Sequence, residues 1–176
     1  RLRYRVSWAP VVVDEVGVVS GGWLLVQWAD ADEPWADALA GELTARGAVV
    51  HRLRLAAADV DRKVLAKRLA GFADCATVVS FLGQDGTQHP VHPGLPLGLS
   101  ATVTLVQAVA DAGVDGRIWA VTSGAVSTGP GDELTHPVRA GVWGLGRVAA
   151  LEEPGRWGGL ADVPAEPVPG AVSRLV

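Results

Sequence analysis

The chain has 176 residues, of which 49% are hydrophobic and 19% are charged, and this composition supports one domain of ordinary size with a substantial core. The formal net charge is −4 and the fifteen basic residues are scattered along the chain, which argues against a nucleic-acid partner. No apolar run approaches the roughly 20 residues that a membrane-spanning helix needs, and the single cysteine, Cys75, excludes an internal disulfide and fits a reducing cytoplasm.

Strand and helix patterns alternate along the chain. The first segment, Leu2–Pro10, alternates arginine with apolar residues and predicts a strand, and Val11–Gly22 is expected to be a loop or a hairpin return. Short apolar runs predict five further strands: Trp23–Trp28, Ala48–Leu55, Thr77–Leu82, Ile118–Val121 and Trp157–Ala161. Four segments between them carry helical patterns: Trp35–Arg46, Val60–Phe72, Leu97–Ala112 and Pro137 to about Leu151.

The alternation predicts the fold class. Strands that are separated by helices usually pair in parallel, so we expect an α/β fold with a Rossmann-like parallel sheet and helices on both faces. The second predicted helix should bury one apolar side, which consists of Val64, Leu65, Leu69 and Phe72. Val163–Pro169 is a proline-rich break, and Gly170–Val176 has the pattern of the beginning of a last helix that is cut short.

A Rossmann-like sheet suggests a dinucleotide site in the turn that follows the first core strand. Glycines in that turn let the backbone approach the pyrophosphate. Here the turn contains no glycine, and it carries the carboxylates of Asp30, Asp32 and Glu33. These carboxylates suit the positive end of the following helix, but they would repel a diphosphate. The sequence therefore predicts no nucleotide at this position.

A second glycine pattern, Gly141-Val-Trp-Gly144-Leu-Gly146, lies inside the fourth helical segment. The order of its glycines is GxxGxG and it does not follow a strand, so it does not match the dinucleotide fingerprint. We interpret it as the small side of a helix that approaches a neighbouring element closely.

Ser123, at the end of a predicted strand, invites comparison with short-chain dehydrogenases. In that family a strand ends in a catalytic serine and a Tyr-x-x-x-Lys pair follows, but the corresponding positions here are His136 and Ala140. The only tyrosine is Tyr4, and both lysines, Lys63 and Lys67, belong to the second helical segment, so a tyrosine acid beside a lysine is not expected. Thr122 and Ser123 are expected instead to satisfy backbone groups at the strand end.

Three other features of the sequence are candidate sites. His89 and His92 lie three residues apart in a proline-rich loop, and a metal would need a third ligand such as Asp85. We expect these histidines to be solvated and no metal to bind. Cys75 is expected to be a small buried residue. A Ser–His–Asp triad has no GxSxG elbow to support it, because Ser123 stands in the sequence VTSGA.

Three segments resemble the N-terminal half of the ketoreductase domain of bacterial modular type I polyketide synthases. Leu2–Pro10 is similar to the opening YRVxW segment of that family, Ile118–Val126 reads IWAVTSGAV, and Pro137–Asp162 reads PVRAGVWGLGRVAALEEPGRWGGLAD. The resemblance implies a truncated Rossmann-like subdomain that binds no cofactor and braces a second subdomain. That second subdomain would bind NADPH, carry the catalytic residues, and reduce the β-keto group of a polyketide held on an acyl carrier protein.

The resemblance also implies how the chain is organised. We expect a strand and loop over residues 1–22, a Rossmann-like core over 23–162, and over 163–176 the start of a linker or helix toward the catalytic subdomain. The chain contains no methionine, even at position 1, and no TGGTGGLG-like cofactor loop, so we expect a piece of a longer polypeptide. The catalytic subdomain and the other synthase domains, including the acyl carrier protein, would be its partners.

No catalytic, cofactor-binding or metal-binding residue is assigned to this chain. Two alternatives stay open: a self-sufficient, divergent short-chain reductase, and a free-standing docking or scaffold protein.

Overall fold

The structure, a computed structural model, describes residues 6–11, 19–168 and 170–176. Strands and helices alternate within these residues. The strands are β1 (Gly22–Trp28), β2 (Val49–Leu55), β3 (Cys75–Ser80), β4 (Arg117–Ser123) and β5 (Trp157–Val163). The helices are α1 (Pro34–Ala45), α2 (Arg62–Leu69), α3 (Leu97–Asp111) and α4 (Ala140–Glu152). The predicted α/β fold with five core strands is confirmed.

The five strands form one parallel sheet in the order β2-β1-β3-β4-β5. After β2 the chain crosses back over β1 to reach β3, so the direction of winding reverses between β1 and β3. Parallel sheets open a crevice at such a reversal, outside the carboxyl ends of the strands. The topology therefore places the crevice between the carboxyl ends of β1 and β3.

The helices are distributed unequally between the two faces of the sheet. Helices α2, α3 and α4 pack with β1, β3 and β4 in one core cluster, and α1 packs in a second cluster on the opposite face. Right-handed crossovers require this arrangement, because only the β1-to-β2 connection moves along the sheet in the direction opposite to the others. Leu24, Leu25 and Val26 of β1 are fully buried because both clusters cover that strand.

The second helix is shorter than the sequence predicts, and it buries fewer of the expected residues. Helix α2 begins after Asp61, whose carboxylate accepts hydrogen bonds from the Lys63 and Val64 amides. Its eight residues bury only Leu65 and Leu69, whereas Val64, which was predicted on the apolar side, is 42% exposed.

The predicted Leu2–Pro10 strand lies partly outside the described residues, and its described part, residues 6–10, is not a strand. Trp8 instead packs edge-on against Trp143 of α4, with 5.5 Å between the ring centroids. Among the helices of the described ranges, none combines the length and the apolar character needed to cross a membrane.

Candidate functional site

A crevice of about 550 Å³ lies outside the carboxyl ends of β1, β3 and β4. The turn after β1, the loop after β3 and the segment that leads into α4 form its walls. Its polar lining consists of Asp30, Asp32, Glu33, Gln84, Asp85, Ser123, His136 and Arg139. Trp28 lines the crevice and donates its indole N–H to the Leu82 carbonyl, 3.1 Å away, which joins the ends of β1 and β3.

A chain of hydrogen bonds crosses this crevice. Gln84 Nε2 donates to Glu33 Oε1 over 3.3 Å, and Arg139 Nη1 donates to Gln84 Oε1 over 3.3 Å. Arg139 Nη1 also donates to the backbone carbonyl of Ser123, 2.8 Å away. These hydrogen bonds therefore connect the start of α1 to the loop after β3 and to the end of β4.

Burial and charge shift the pKa values of Glu33 and Arg139, the two ionisable residues of this hydrogen-bond network, in opposite directions. Burial raises the pKa of Glu33 to about 7, although the Gln84 hydrogen bond and the positive charge of Arg139 lower it. Burial lowers the pKa of Arg139, and the negative charges of Glu33, Asp162 and Asp85 raise it. An arginine stays protonated under such shifts, so Arg139 is a permanent cation facing a carboxyl group that titrates near neutral pH.

Glu33 does not act as the helix cap that its position suggests. It is the N-cap residue of α1, but its side chain accepts no backbone hydrogen bond there. The carboxylate binds Gln84 across the crevice instead. A carboxylate thus occupies the mouth of the first strand-to-helix turn, where a dinucleotide fold usually presents free backbone N–H groups to phosphate.

Ser123 is 6% exposed and takes part in the crevice network through its backbone carbonyl. His136 also lines the crevice, and its Nδ1 lies 3.0 Å from Thr135 Oγ1. Tyr4 lies outside the described residues, and Lys63 and Lys67 lie on α2. Within the described ranges, the structure brings Ser123 and His136 to one crevice and places no lysine in its lining.

The Thr122 hydroxyl binds two side chains and no backbone group, contrary to the sequence prediction. Its hydroxyl donates to Asp162 Oδ1 over 2.6 Å and accepts from the indole N–H of Trp143 over 2.9 Å. The Asp162 carboxylate also accepts the backbone N–H groups of Ala125 and Val126. Asp162 was not singled out from the sequence, because its partners come from β4 and from the turn that follows.

The turn after β4 needs a glycine at Gly124. Its φ is +63°, and a Cβ at this position would overlap the Thr135 hydroxyl. The Gly124 carbonyl accepts the His136 N–H over 2.8 Å. The close approach of the two segments therefore depends on the missing side chain.

None of the remaining sequence candidates forms a metal site among the described residues, although Asp85 lines the crevice. The rings of His89 and His92 stack with 4.9 Å between centroids, and His89 Nδ1 accepts the His92 N–H. The Asp85 carboxylate accepts the Thr87 N–H of its own loop, and no group of three potential metal ligands occurs in the part of the chain that is described. Cys75 is 3% exposed, as predicted, and burial raises the pKa of its thiol.

The glycines of α4 confirm the close-packing interpretation at two positions. Gly141 faces Leu99 of α3, and Gly146 faces Trp157 and Leu160 of β5. Gly144 has no neighbour within 4 Å of the place where a Cβ would stand, so it does not serve close packing. None of the three glycines lines the crevice.

Comparisons with known proteins agree with the fold. Residues 8–176 match the family model described as the polyketide synthase extender module SpnB, Rossmann fold domain. The chain is 46% identical to polyketide synthase GfsA of Streptomyces halstedii over 98% of its length, and 42% identical to the pikromycin polyketide synthase component PikAII of Streptomyces venezuelae, also over 98%. It spans only 2% and 5% of the lengths of these relatives.

Solved structures give the same result. An A-type ketoreductase from a modular polyketide synthase superposes with a TM-score of 0.84 at 36% identity, and the match covers 96% of this chain and 36% of that chain. A C2-type ketoreductase gives a TM-score of 0.81 at 42% identity, with 88% and 34% covered. A short-chain dehydrogenase from Burkholderia cenocepacia in complex with NADP shares the fold, with a TM-score of 0.54 at 17% identity. The chain belongs to the Rossmann fold domain family of modular polyketide synthases, in their ketoreductase region.

Proposed function

We propose that this chain is the non-catalytic structural half of a polyketide synthase ketoreductase. In this role it braces a catalytic half that binds NADPH and reduces the β-keto group of a polyketide carried by an acyl carrier protein. The observation that carries the proposal is the network of hydrogen bonds that joins Glu33, Gln84 and Arg139 across the crevice, with the Glu33 carboxyl group at the strand-to-helix turn where a dinucleotide fold presents backbone N–H groups to phosphate.

The electrostatics of the crevice oppose a dinucleotide. Asp30, Asp32, Glu33 and Asp85 line it, and among its described lining residues Arg139 is the only lysine or arginine. Arg139 already donates to Gln84 and to the Ser123 carbonyl. Each carboxylate at contact range from a phosphate costs about 1 kcal/mol in water and more in a partly buried crevice.

Among the described residues, no tyrosine or lysine lies in the crevice beside Ser123, as a short-chain reductase would require. A general acid must lie within hydrogen-bond reach of the reacting oxygen, and a tyrosine needs a nearby cation to act as an acid near neutral pH. His136 and Ala140 occupy the positions where the tyrosine and the lysine of such an enzyme would stand. The hydride chemistry is therefore assigned to a separate half of the ketoreductase.

The sizes of the matched structures support a ketoreductase made of a structural part and a separate catalytic part. This chain corresponds to 36% and 34% of two ketoreductase chains, so most of a ketoreductase lies outside the matched region. The remaining part is large enough for a complete Rossmann domain with a cofactor site.

Three measurements test the proposal, two on the purified chain alone and one with the catalytic half added. Isothermal titration with NADPH should give no binding at micromolar concentrations, and a β-ketothioester surrogate should not be reduced. The separately expressed catalytic half, added to the chain, should co-elute with it in size-exclusion chromatography. Micromolar NADPH binding by the chain alone would favour the self-sufficient reductase, and failure to co-elute would contradict the bracing role.

A further inference from the structure

One edge of the domain is rich in basic side chains. Residues 46–72 contain seven of the fifteen lysine and arginine residues of the chain but only two of its nineteen aspartate and glutamate residues. Because the whole chain carries a formal net charge of −4, the other residues are together strongly acidic. Strand β2 is the last strand on this side of the sheet, and α2 packs with it in one core cluster. The fold therefore gathers on one edge basic residues that form no dense run in the sequence.

Four arginines of this edge form ion pairs within the domain. Arg62 donates to both carboxylate oxygens of Asp111, the last residue of α3. Arg68 donates to the Asp59 carboxylate over 2.6 Å and to the Arg54 carbonyl over 2.7 Å. These bonds connect α2 to α3 and to β2, and the charges of the paired arginines are already matched by carboxylates of the domain.

The two lysines of this edge are different, and they are the only lysines of the chain. Neither Lys63 nor Lys67 forms an ion pair among the described residues, and both are exposed. They lie one turn apart on α2, on the side away from the buried Leu65 and Leu69. Like charges at this spacing repel each other and weaken a helix, and Lys63 also lies in the first turn, at the positive end of the helix dipole. Helix stability therefore does not account for the pair, and both ammonium groups are available to a partner.

An exposed apolar side chain adjoins the two lysines. Val64 stands next to Lys63 and three residues before Lys67, and it is 42% exposed. Ala70 and Gly71 continue this side with small exposed residues, and a Cβ at Gly71 would meet nothing within 4 Å. The surface is thus shallow, with two cations around one apolar side chain. Permanent interfaces are larger and more apolar, whereas opposite charges on two partners mainly raise the rate of association. The surface therefore suits a partner that binds transiently.

We propose that Lys63, Val64 and Lys67 form a docking surface for the acyl carrier protein, which meets the two lysines with carboxylate side chains. The proposal rests on the proposed function, which gives the ketoreductase a substrate held on that carrier. The catalytic half stays in place, whereas the carrier protein has to bind and leave in every reaction cycle, and a small charged surface serves such exchange. The matching element is a helix with acidic residues one turn apart, because its Cβ atoms then lie about 5–6 Å apart, as those of the two lysines do.

Steady-state kinetics of the intact ketoreductase on two substrates test this proposal. One substrate is the β-ketoacyl carrier protein of the same module, and the other is a free β-ketothioester, which needs no docking of a carrier. The test variant is the double substitution Lys63→Gln and Lys67→Gln. The matched control, Arg54→Gln with Arg117→Gln, removes two exposed charges that form no ion pair among the described residues. Both control positions lie on strands, outside α2.

The lysine variant should lose about three- to tenfold in kcat/KM on the carrier-bound substrate, through KM, and the loss should shrink as salt screens the charges. The control should stay within about twofold of the native value, and both variants should reduce the free thioester normally. No loss in the lysine variant, or an equal loss in the control, overturns the docking surface and leaves the proposed function standing. A native ketoreductase that does not reduce the free thioester contradicts the proposed function itself.

Amine labelling is a second measurement that needs no variant, and it decides the question if the lysine variant does not fold. The native ketoreductase is acetylated with and without saturating carrier protein, and the labelled peptides are identified by mass spectrometry. The carrier protein should slow the labelling of Lys63 and Lys67 at least threefold. Equal labelling with and without the carrier protein overturns the proposal.

Discussion

At the residue scale, the crevice contains one carboxyl group, that of Glu33, whose ionisation costs folding free energy. Glu33 is partly buried, and burial raises its pKa from 4.5 to about 7. The folded state therefore holds the Glu33 proton more tightly than the unfolded state does, so the contribution of this group to stability is complete below pH 4.5. It falls as the pH rises toward 7 and is constant above that.

Glu33→Gln should remove this pH dependence. The amide is neutral at every pH and its carbonyl can still accept the Gln84 hydrogen bond. We expect the variant and the native chain to melt within about a degree of each other near pH 5, whereas at pH 8 the variant melts a few degrees higher. Asp30→Asn makes the same charge change at an exposed position and is the control. Thermal unfolding followed by circular dichroism at a series of pH values measures the difference, and a difference that does not grow with pH would contradict the assignment.

Ser123 contributes to the crevice through its backbone carbonyl, so replacing its side chain should have little effect on activity. Arg139 donates to the Ser123 carbonyl, which an alanine keeps. We expect Ser123→Ala to leave the activity of the ketoreductase reassembled from its two halves within a few-fold of the native value. The comparison is kcat/KM on a β-ketothioester, with the melting temperature as the folding control. A loss of about 10³-fold with folding intact is the size expected for disabled core chemistry, and it would place a catalytic serine in this half.

At the element scale, only some glycines of α4 serve close packing, and substitutions at Gly146 and Gly144 test this difference. A Cβ at Gly146 would stand 2.5 Å from Leu160 Cδ1 and 2.8 Å from Trp157 Cζ2, whereas at Gly144 it would meet nothing within 4 Å. Gly146→Ala should destabilise the chain by about 1–3 kcal/mol, because β5 must move away from the helix.

Gly144→Ala is the matched control in the same helix. It should stabilise the chain by about 0.5–1 kcal/mol through helix propensity alone. Urea unfolding of both variants measures the two free energies. Equal effects at the two positions would show that the α4–β5 contact is looser than the structure indicates.

The elements were predictable from the sequence where the signal is local. Apolar runs indicate β1 and β4 because strands buried on both faces have no polar side. Val64 was placed wrongly because α2 is short and presents only Leu65 and Leu69 to the core. Periodicity alone does not reveal that Val64 faces solvent.

The candidate site was predictable only in part. The acidic turn after β1 and the missing tyrosine and lysine are visible as residues in the sequence. The hydrogen bonds that join Glu33, Gln84 and Arg139 are not visible in the sequence, because their partners are separated by 51 and 55 residues. Asp162 was missed for the same reason, since its bond to Thr122 joins residues 40 apart. Tertiary hydrogen bonds of this kind follow from the strand order, which local patterns do not determine.

At the scale of the whole molecule, the apolar surface that remains open indicates a partner. Leu151 on α4 is 84% exposed and Val138 and Val148 are about half exposed, on the side of the sheet opposite Trp119, which is 42% exposed. Exposed apolar side chains on both faces of the sheet agree with the proposed role of a half-domain that is stabilised by the rest of a ketoreductase.

The catalytic half should therefore raise the melting temperature of this chain. A partner that binds only the folded state stabilises it by about 2.7 kcal/mol at a concentration 100 times its Kd, which corresponds to roughly 5–10 °C for a domain of this size. Differential scanning calorimetry of the chain, with and without a separately expressed catalytic half, measures the shift, and an unrelated acidic protein at equal concentration is the control. Because binding is by mass action, the shift should also grow with the logarithm of the partner concentration above Kd. A melting temperature that stays constant up to saturating partner, for a chain that is monomeric and well folded alone, would show that the catalytic half does not depend on this surface and that the bracing role is wrong.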